Sequence, residues 1–337
     1  MSAPSSSPSP SPRKRVLSGV RPTGPQHLGN LVGALRNWIR LQDLYDCQYA
    51  IVGWHALSSE YMNSKVIRAN ALEVALDWLS VGLDPAKSVL FLQSEVKEHA
   101  ELHLILSMIV PLPWLERVPT FKEMQQEIRD KDLNTYGFLG YPVLQAADIV
   151  IYKADFVPVG EDQAAHLELT REIVRRFNRI FGDILPEPET LLTEVPRLAG
   201  TDGRKMSKSF GNAIFIKDEP AVIRQKILPM VTDTRRVRRT DPGEPNDCPV
   251  FTLHKAFVPK DAREEVAQGC RTAGIGCLDC KKVVLDHLLR ELAPIQEKRK
   301  ALEANPKAVW DILEEGNAKA RRVARATMDE VRAALGF

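Results

Sequence analysis

Two short runs combine residue types suited to holding a polyphosphate. One contains Lys205, Met206, Ser207, Lys208 and Ser209, with two lysines three residues apart in a loop flanked by Gly200, Gly203 and Gly211. A mobile loop of this kind can close on a triphosphate, so that both ammonium groups offset the charge building on a departing pyrophosphate. The other runs from Pro25 to Asn30 and contains His27, Leu28 and Gly29. His27 can donate to a phosphate oxygen, and Gly29 lets a nucleotide lie against the backbone where a side chain would block it. A lone His-Leu-Gly also reads as an ordinary helix start. The two runs together, in this order and separation, point to nucleotide chemistry.

Elements that could position them are legible from periodicity. Val16 to Gly19 is a short apolar run, and residues 31 to 45 carry apolar positions at helical spacing. Residues 47–54 read as a strand, 63–82 as a helix, 88–93 as a strand and 99–110 as a helix. Residues 146–153 read as helical, 155–160 as a strand and 161–177 as a helix. Strands alternating with helices predict an α/β fold with a parallel sheet and helices on both faces. The Pro25–Asn30 run then falls between a strand's carboxyl end and a helix N-terminus, where free N–H groups favour phosphate. From about residue 219 the chain is helical and charged, and a domain boundary is expected near residue 213.

A second group concerns a polar residue in apolar company. Tyr141, Gln145 and Asp148 are spaced to share one helix face, and Asp148 sits among Leu144, Ala146, Ala147, Ile149 and Val150. A buried carboxylate needs a partner. An indole N–H, a donor only, meets that need, and so does an arginine of the fold. His55, just past the Tyr49–Val52 run, has two readings, a contact near the nucleotide or a satisfied core histidine. Cys248, Cys270, Cys277 and Cys280 form a C-x21-C-x6-C-x2-C pattern. Four thiolates suffice for Zn²⁺ or a [4Fe–4S] cluster, and spacing does not choose between them. Cys47 reads as a packed thiol. Arg235, Arg236, Arg238 and Arg239 suit phosphate and exposed-base contacts, or pair with nearby acids.

The two runs resemble the signatures of class I aminoacyl-tRNA synthetases, with His27 and Asn30 in the places of the two histidines of the HIGH signature. Stretches 18–24, 141–155, 157–173 and 200–209 resemble the tryptophanyl-tRNA synthetase family, over residues 16–337 as a whole. The resemblance implies a Rossmann-like catalytic domain over residues 16–212, followed by a helical tRNA-binding domain over 213–337. It implies activation of L-tryptophan with ATP and Mg²⁺, transfer to tRNA(Trp), and a homodimer. His27, Asn30, Lys205 and Lys208 would be catalytic. Arg21, Pro22, Thr23, Gly29, Gly160, Glu161, Asp162, Met206, Ser207 and Ser209 would join them around ATP. Tyr141, Gln145, Asp148 and Gln163 would hold tryptophan, with Asp148 on the indole. Phenylalanine would leave Asp148 unpaired, at a cost on the order of several kcal/mol. Arg21 and Gln145 depart from the Gln and Met of many bacterial members. The four cysteines resemble a subset that binds [4Fe–4S], with the first spacing one residue shorter.

The bulk composition is compatible with this. The chain has 337 residues, 44% of them hydrophobic and 27% charged, with net charge +2. That balance neither requires nor excludes a polyanionic partner. No apolar run reaches membrane-spanning length and the N-terminus lacks a signal-peptide core, so a cytoplasmic location is expected. Residues 1–15 alternate Ser and Pro before Arg13, Lys14 and Arg15, and read as a disordered tail. Two rivals share the scaffold, a tyrosyl-tRNA synthetase and an auxiliary copy serving as a regulatory or redox-sensing binder of tRNA or a partner.

Overall fold

The structure, a computed structural model, describes residues 13–117, 134–160, 164–192 and 197–337. Five strands, β1 (Arg15–Val20), β2 (Asp46–Ile51), β3 (Ser88–Leu92), β4 (Phe156–Val159) and β5 (Glu189–Leu192), form one sheet. Their order is β3-β2-β1-β4-β5, and every pairing is parallel. Successive side chains of a strand point to opposite faces. Val16, Tyr49 and Leu90 accordingly enter one core, and Leu17, Ala50 and Phe91 the other. The helices Val66–Val81 and Cys277–Glu303 cover the first face; Glu98–Ser107, Tyr141–Val150 and Ala164–Phe181 cover the second.

Three elements differ from the sequence reading. Arg15 is the first residue of β1 rather than the last of a tail. Its backbone N–H donates to Asp155 Oδ2 at 2.7 Å, and its guanidinium bonds Asp46 and the Tyr152 carbonyl. Gly53 and Trp54 begin a helix, Gly53–Glu60, instead of ending β2. The four-residue strand β5 had no clear apolar signal. Residues 1–12 of the expected tail lie outside the described residues.

Beyond β5 the described residues contain helices and no strand, the main ones being Pro220–Ile227, Pro249–Phe257, Lys260–Arg271, Cys277–Glu303 and Pro306–Leu335. Three of them start on proline, whose missing N–H costs nothing in a first turn. This region packs directly on the sheet. Val284, Leu285, Leu288 and Leu292 share a core with Tyr49 and Ile51. The last helix shields the edge strand β3. A Cβ on Gly316 would lie 1.8 Å from the Leu90 carbonyl oxygen, and Asn317 Oδ1 accepts the Leu92 N–H at 2.7 Å. No helix among the described residues is long and apolar enough to cross a membrane.

Candidate active site

Strand order reverses between β1 and β4, which creates a crevice beyond their carboxyl ends. Arg21, Pro22 and Thr23 leave β1 at this point, and Gly160 follows β4. Arg21 is exposed here, within electrostatic reach of Tyr141 and Glu60. Glu161, Asp162 and Gln163 lie outside the described residues.

His27 caps the helix that starts at Leu28. Its Nδ1 accepts the Asn30 N–H at 3.2 Å, and Asn30 Oδ1 accepts the His27 N–H at 3.0 Å. Asn30 is therefore a reciprocal cap of the His27 loop. Burial, reinforced by the charges of Lys208 and Lys205, pushes the His27 pKa down to about 4. A neutral ring that accepts at Nδ1 carries its proton on Nε2 and is left with an N–H donor. Gly29 has a reason in the structure that the sequence did not disclose. A Cβ there would lie 2.8 Å from His27 Cε1 and 2.9 Å from Nδ1, so the imidazole packs over the glycine.

The lysine loop docks beside this cap. Leu28 N donates to the Ile214 carbonyl at 2.9 Å and Ile216 N to the Gln26 carbonyl at 3.0 Å, which joins the two runs antiparallel around His27 and Phe215. Lys208 Nζ reaches the Gly24 carbonyl at 2.8 Å and Thr23 Oγ1 at 3.2 Å. Burial lowers its pKa to about 8 against the opposing pull of Asp77. Lys205 is exposed. Met206 is 4% exposed and anchors the loop in the core. Ser207 and Ser209 share a hydrogen bond of 2.8 Å between hydroxyls. Asn212, absent from the sequence reading, braces the loop. Its Oδ1 accepts the Ser207 N–H at 2.8 Å, while Nδ2 donates to Asp202 at 2.7 Å and to the Lys205 carbonyl at 3.1 Å. Gly200 is required beneath it, because a Cβ would lie 2.3 Å from the amide.

Asp148 lies on the opposite face of the sheet, 5% exposed, on the helix that also carries Tyr141 and Gln145. Its partner is no arginine. Gln93 Nε2 donates to both carboxylate oxygens at 2.8 and 2.7 Å, His55 Nε2 to Oδ2 at 2.9 Å and His99 Nδ1 to Oδ1 at 2.7 Å. Gln93 is oriented by the Trp54 N–H, which its Oε1 accepts at 3.0 Å. His99 Nε2 meets the Tyr152 hydroxyl at 2.7 Å. Burial alone would raise the Asp148 pKa; the hydrogen bonds of His55 and His99 outweigh it and hold the group well below the usual carboxylate range. Tyr141 Oη lies 3.2 Å from His166 Nε2. Sequence spacing singled out Tyr141 and Asp148 but not Gln93 and His99, which bond or lie beside that carboxylate's network, and it left His55 open. Gln93 falls at the carboxyl end of β3, the position from which a signal could have come.

With this geometry in place, the comparisons are direct. Residues 10–292 match the family described as tRNA synthetases class I (W and Y). A tryptophan–tRNA ligase of Thermotoga maritima is 53% identical over 325 residues, covering 96% of this chain and 99% of that protein. The chain belongs to the class I tRNA synthetases. The fold agrees with that of the Campylobacter jejuni tryptophanyl-tRNA synthetase, crystallised with ADP and tryptophan. The TM-score is 0.86 at 33% identity, with 96% of this chain and 100% of that one covered. An Archaeoglobus fulgidus tyrosyl-tRNA synthetase shares the fold with a TM-score of 0.66 at 24% identity.

In this synthetase the four cysteines converge from separate elements. Cys248 caps Pro249–Phe257, Cys270 ends Lys260–Arg271, and Cys277 and Cys280 open Cys277–Glu303. Burial and then the neighbouring Cys248, Cys270 and Cys277 push the Cys280 thiol up to about 12. No group of three or more His, Cys, Asp or Glu among the described residues is arranged to hold a metal ion. The basic segment divides. Arg235 pairs with Asp233 and Asp247, while buried Arg236 donates to the Arg239 and Ile275 carbonyls and to Cys270 Sγ. Only Arg238 and Arg239 of the four stay exposed and without a side-chain ion pair among the described residues.

Proposed function

We propose that the enzyme activates L-tryptophan with ATP and transfers the tryptophanyl group to tRNA(Trp). The observation that carries this is the docking of Lys208 against the loop after β1, beside a neutral, capped His27 at the reversal point of the sheet. The identity to tryptophan–tRNA ligases over nearly the whole chain supports the substrate. The tryptophan carboxylate attacks the α-phosphate in line, the α–β bond breaks, and pyrophosphate leaves with its electron pair. The tRNA 3′ hydroxyl then attacks the acyl carbonyl of the adenylate and AMP departs. His27 Nε2–H, Arg21, Lys205 and Lys208 offset charge on the phosphates, and Mg²⁺, when bound with ATP, would supply further charge neutralisation there. Thr23, Gly29, Asn30, Gly160, Glu161, Asp162, Ser207 and Ser209 would frame ATP.

Tyr141, Gln145 and Gln163 would hold the amino acid, with its indole N–H on Asp148. That contact requires one present donor to yield, because four N–H···O contacts fill the carboxylate's acceptor sites. His55, whose side chain is 10% exposed while that of His99 is 0%, is the one placed to move. ATP–pyrophosphate exchange with tryptophan, tyrosine and phenylalanine tests the reading. Exchange with tryptophan alone is expected. Exchange with tyrosine would replace the substrate, and none at all in folded protein would restore the regulatory alternative.

Cys248, Cys270, Cys277 and Cys280 are not arranged to hold a metal ion as they stand; drawn together, four thiolates would hold a [4Fe–4S] cluster, with Zn²⁺ as the alternative, as a staple between three helices. Protein purified without oxygen should contain iron and acid-labile sulfide; absence of both sinks this assignment. Arg238 and Arg239 would face tRNA. Met62, Leu104, Met108 and Tyr136 are exposed apolar residues, and a second copy of the chain would cover them.

A further inference from the structure

A buried polar network ties the C-terminal helical region to both loops of the nucleotide site. Asp77 is fully buried in the middle of Val66–Val81. Its Oδ2 accepts the Gln26 N–H at 2.6 Å, next to His27. Its Oδ1 accepts from Arg299 Nη1, and Arg299 is itself 2% exposed on Cys277–Glu303. Arg299 also reaches Glu73 at 2.7 Å and Glu303 at 2.9 Å. One turn earlier on the same helix face, Gln296 Nε2 donates to the carbonyls of Ile216 at 3.0 Å and Asp218 at 2.8 Å. Ile216 N in turn donates to the Gln26 carbonyl. A single face of one helix thus holds Gln26 through Asp77 and the exit of the lysine loop through Gln296.

We infer that Asp77, Arg299 and Gln296 are positioning residues for adenylate formation, setting the separation of His27 from the lysine loop. A buried ion pair is a poor source of net stability, since desolvation offsets most of its attraction. Packing alone would be served as well by leucine and methionine. What an apolar pair could not do is accept the Gln26 N–H. The network lies on the face opposite Asp148, so its loosening acts on ATP and leaves the amino-acid pocket in place. Misplacement of reacting groups by a fraction of an ångström to an ångström costs about tenfold to a hundredfold in rate.

The inference rests on the proposed reaction, and the experiment separates the two. ATP–pyrophosphate exchange is measured for the wild type, Asp77→Asn and Gln296→Leu, with ATP and tryptophan varied independently and thermal unfolding recorded for each. Asp77→Asn changes no volume but has one acceptor oxygen for two facing donors, so either Gln26 or Arg299 meets an NH₂ group. Gln296→Leu removes two hydrogen bonds at a half-buried position and is expected to fold, and it decides alone if the asparagine variant does not fold. We expect kcat to fall at least about tenfold in each, with the tryptophan KM within twofold of wild type. A silent wild type defeats the reaction itself. An active wild type with folded variants at wild-type kcat, or with kcat and tryptophan KM impaired together, overturns the positioning role.

Discussion

Replacing Gly29 with alanine separates two explanations of that glycine. The added Cβ would lie 2.8 Å from His27 Cε1, whereas carbon atoms in contact sit about 3.5–4.0 Å apart. The imidazole must therefore retreat by about 0.7 Å or rotate, and the bond from Asn30 N to Nδ1 is lost. Losing a cap costs about 1 kcal/mol. Alanine returns up to about 0.5–1 kcal/mol through helix propensity, so global stability should hardly change. Activity should not be spared. His27 Nε2–H, displaced from the phosphates, is a lost electrostatic donor, and such losses cost about 10²–10³ in kcat. We expect Gly29→Ala to lower tryptophan-dependent ATP–pyrophosphate exchange about 10²-fold with little change in the unfolding temperature. The decisive measurement is a cycle with His27→Ala. If the glycine acts through the imidazole, the double variant is no worse than His27→Ala alone. If the glycine instead leaves room for the nucleotide, the two losses multiply and the ATP KM rises further in the double variant. Multiplied losses, or a near-normal Gly29→Ala, refute the account.

Three other outcomes are expected. Asp148→Asn leaves at most two of the four N–H contacts properly matched, and should lose on the order of 3 kcal/mol in urea unfolding as well as tryptophan activation; a variant as stable as wild type would contradict the network. Asn212→Ala removes the brace on Ser207 and Lys205 and should cut exchange about tenfold without altering the tryptophan KM, which substrate-saturation kinetics will check. The third outcome concerns pH. Between pH 6.5 and about 4 the unfolded chain binds a proton at His27 that the folded chain refuses, so stability falls as pH drops through that window and levels off below it. His27→Gln should flatten the slope of the urea midpoint against pH there, and an unchanged slope would contradict the shifted histidine.

What the sequence disclosed was local. The Pro25–Asn30 run and the two-lysine loop were legible because each is contiguous, and Tyr141 and Asp148 because two helical turns set their spacing. The alternation of strands and helices gave the parallel sheet. The partners that make those residues work come from far along the chain. Gln93, His99 and His55 meet Asp148 across sequence separations of 55, 49 and 93 residues, and none carries a local pattern that announces it. Asp77 carries no local pattern that sets it apart from Glu73 on the same helix, and only the arrival of Arg299 and Gln26 gives it meaning. Arg236 shows the converse error. Its basic neighbours suggest a surface, but it is buried on the Ile275 carbonyl and Cys270.

The division of the site between the two faces of the sheet has a consequence for specificity. His27 and Lys208 are fixed from the core that contains Leu28, Met206 and Ile214, and Asp148 from the core that contains Ala147 and Ile149. Under the proposed reaction, ATP and the amino acid meet only beyond the ends of β1 and β4. The indole then reports to a network whose donors are already satisfied without it. A substrate must displace a hydrogen bond and replace it with one at least as good. Tryptophan offers an N–H for the one it removes. Phenylalanine would remove it and offer nothing, leaving a buried carboxylate short of a donor. Discrimination in such a site is set by this exchange of donors at Asp148, and loop closure over ATP on the other face can then serve rate without having to serve selection.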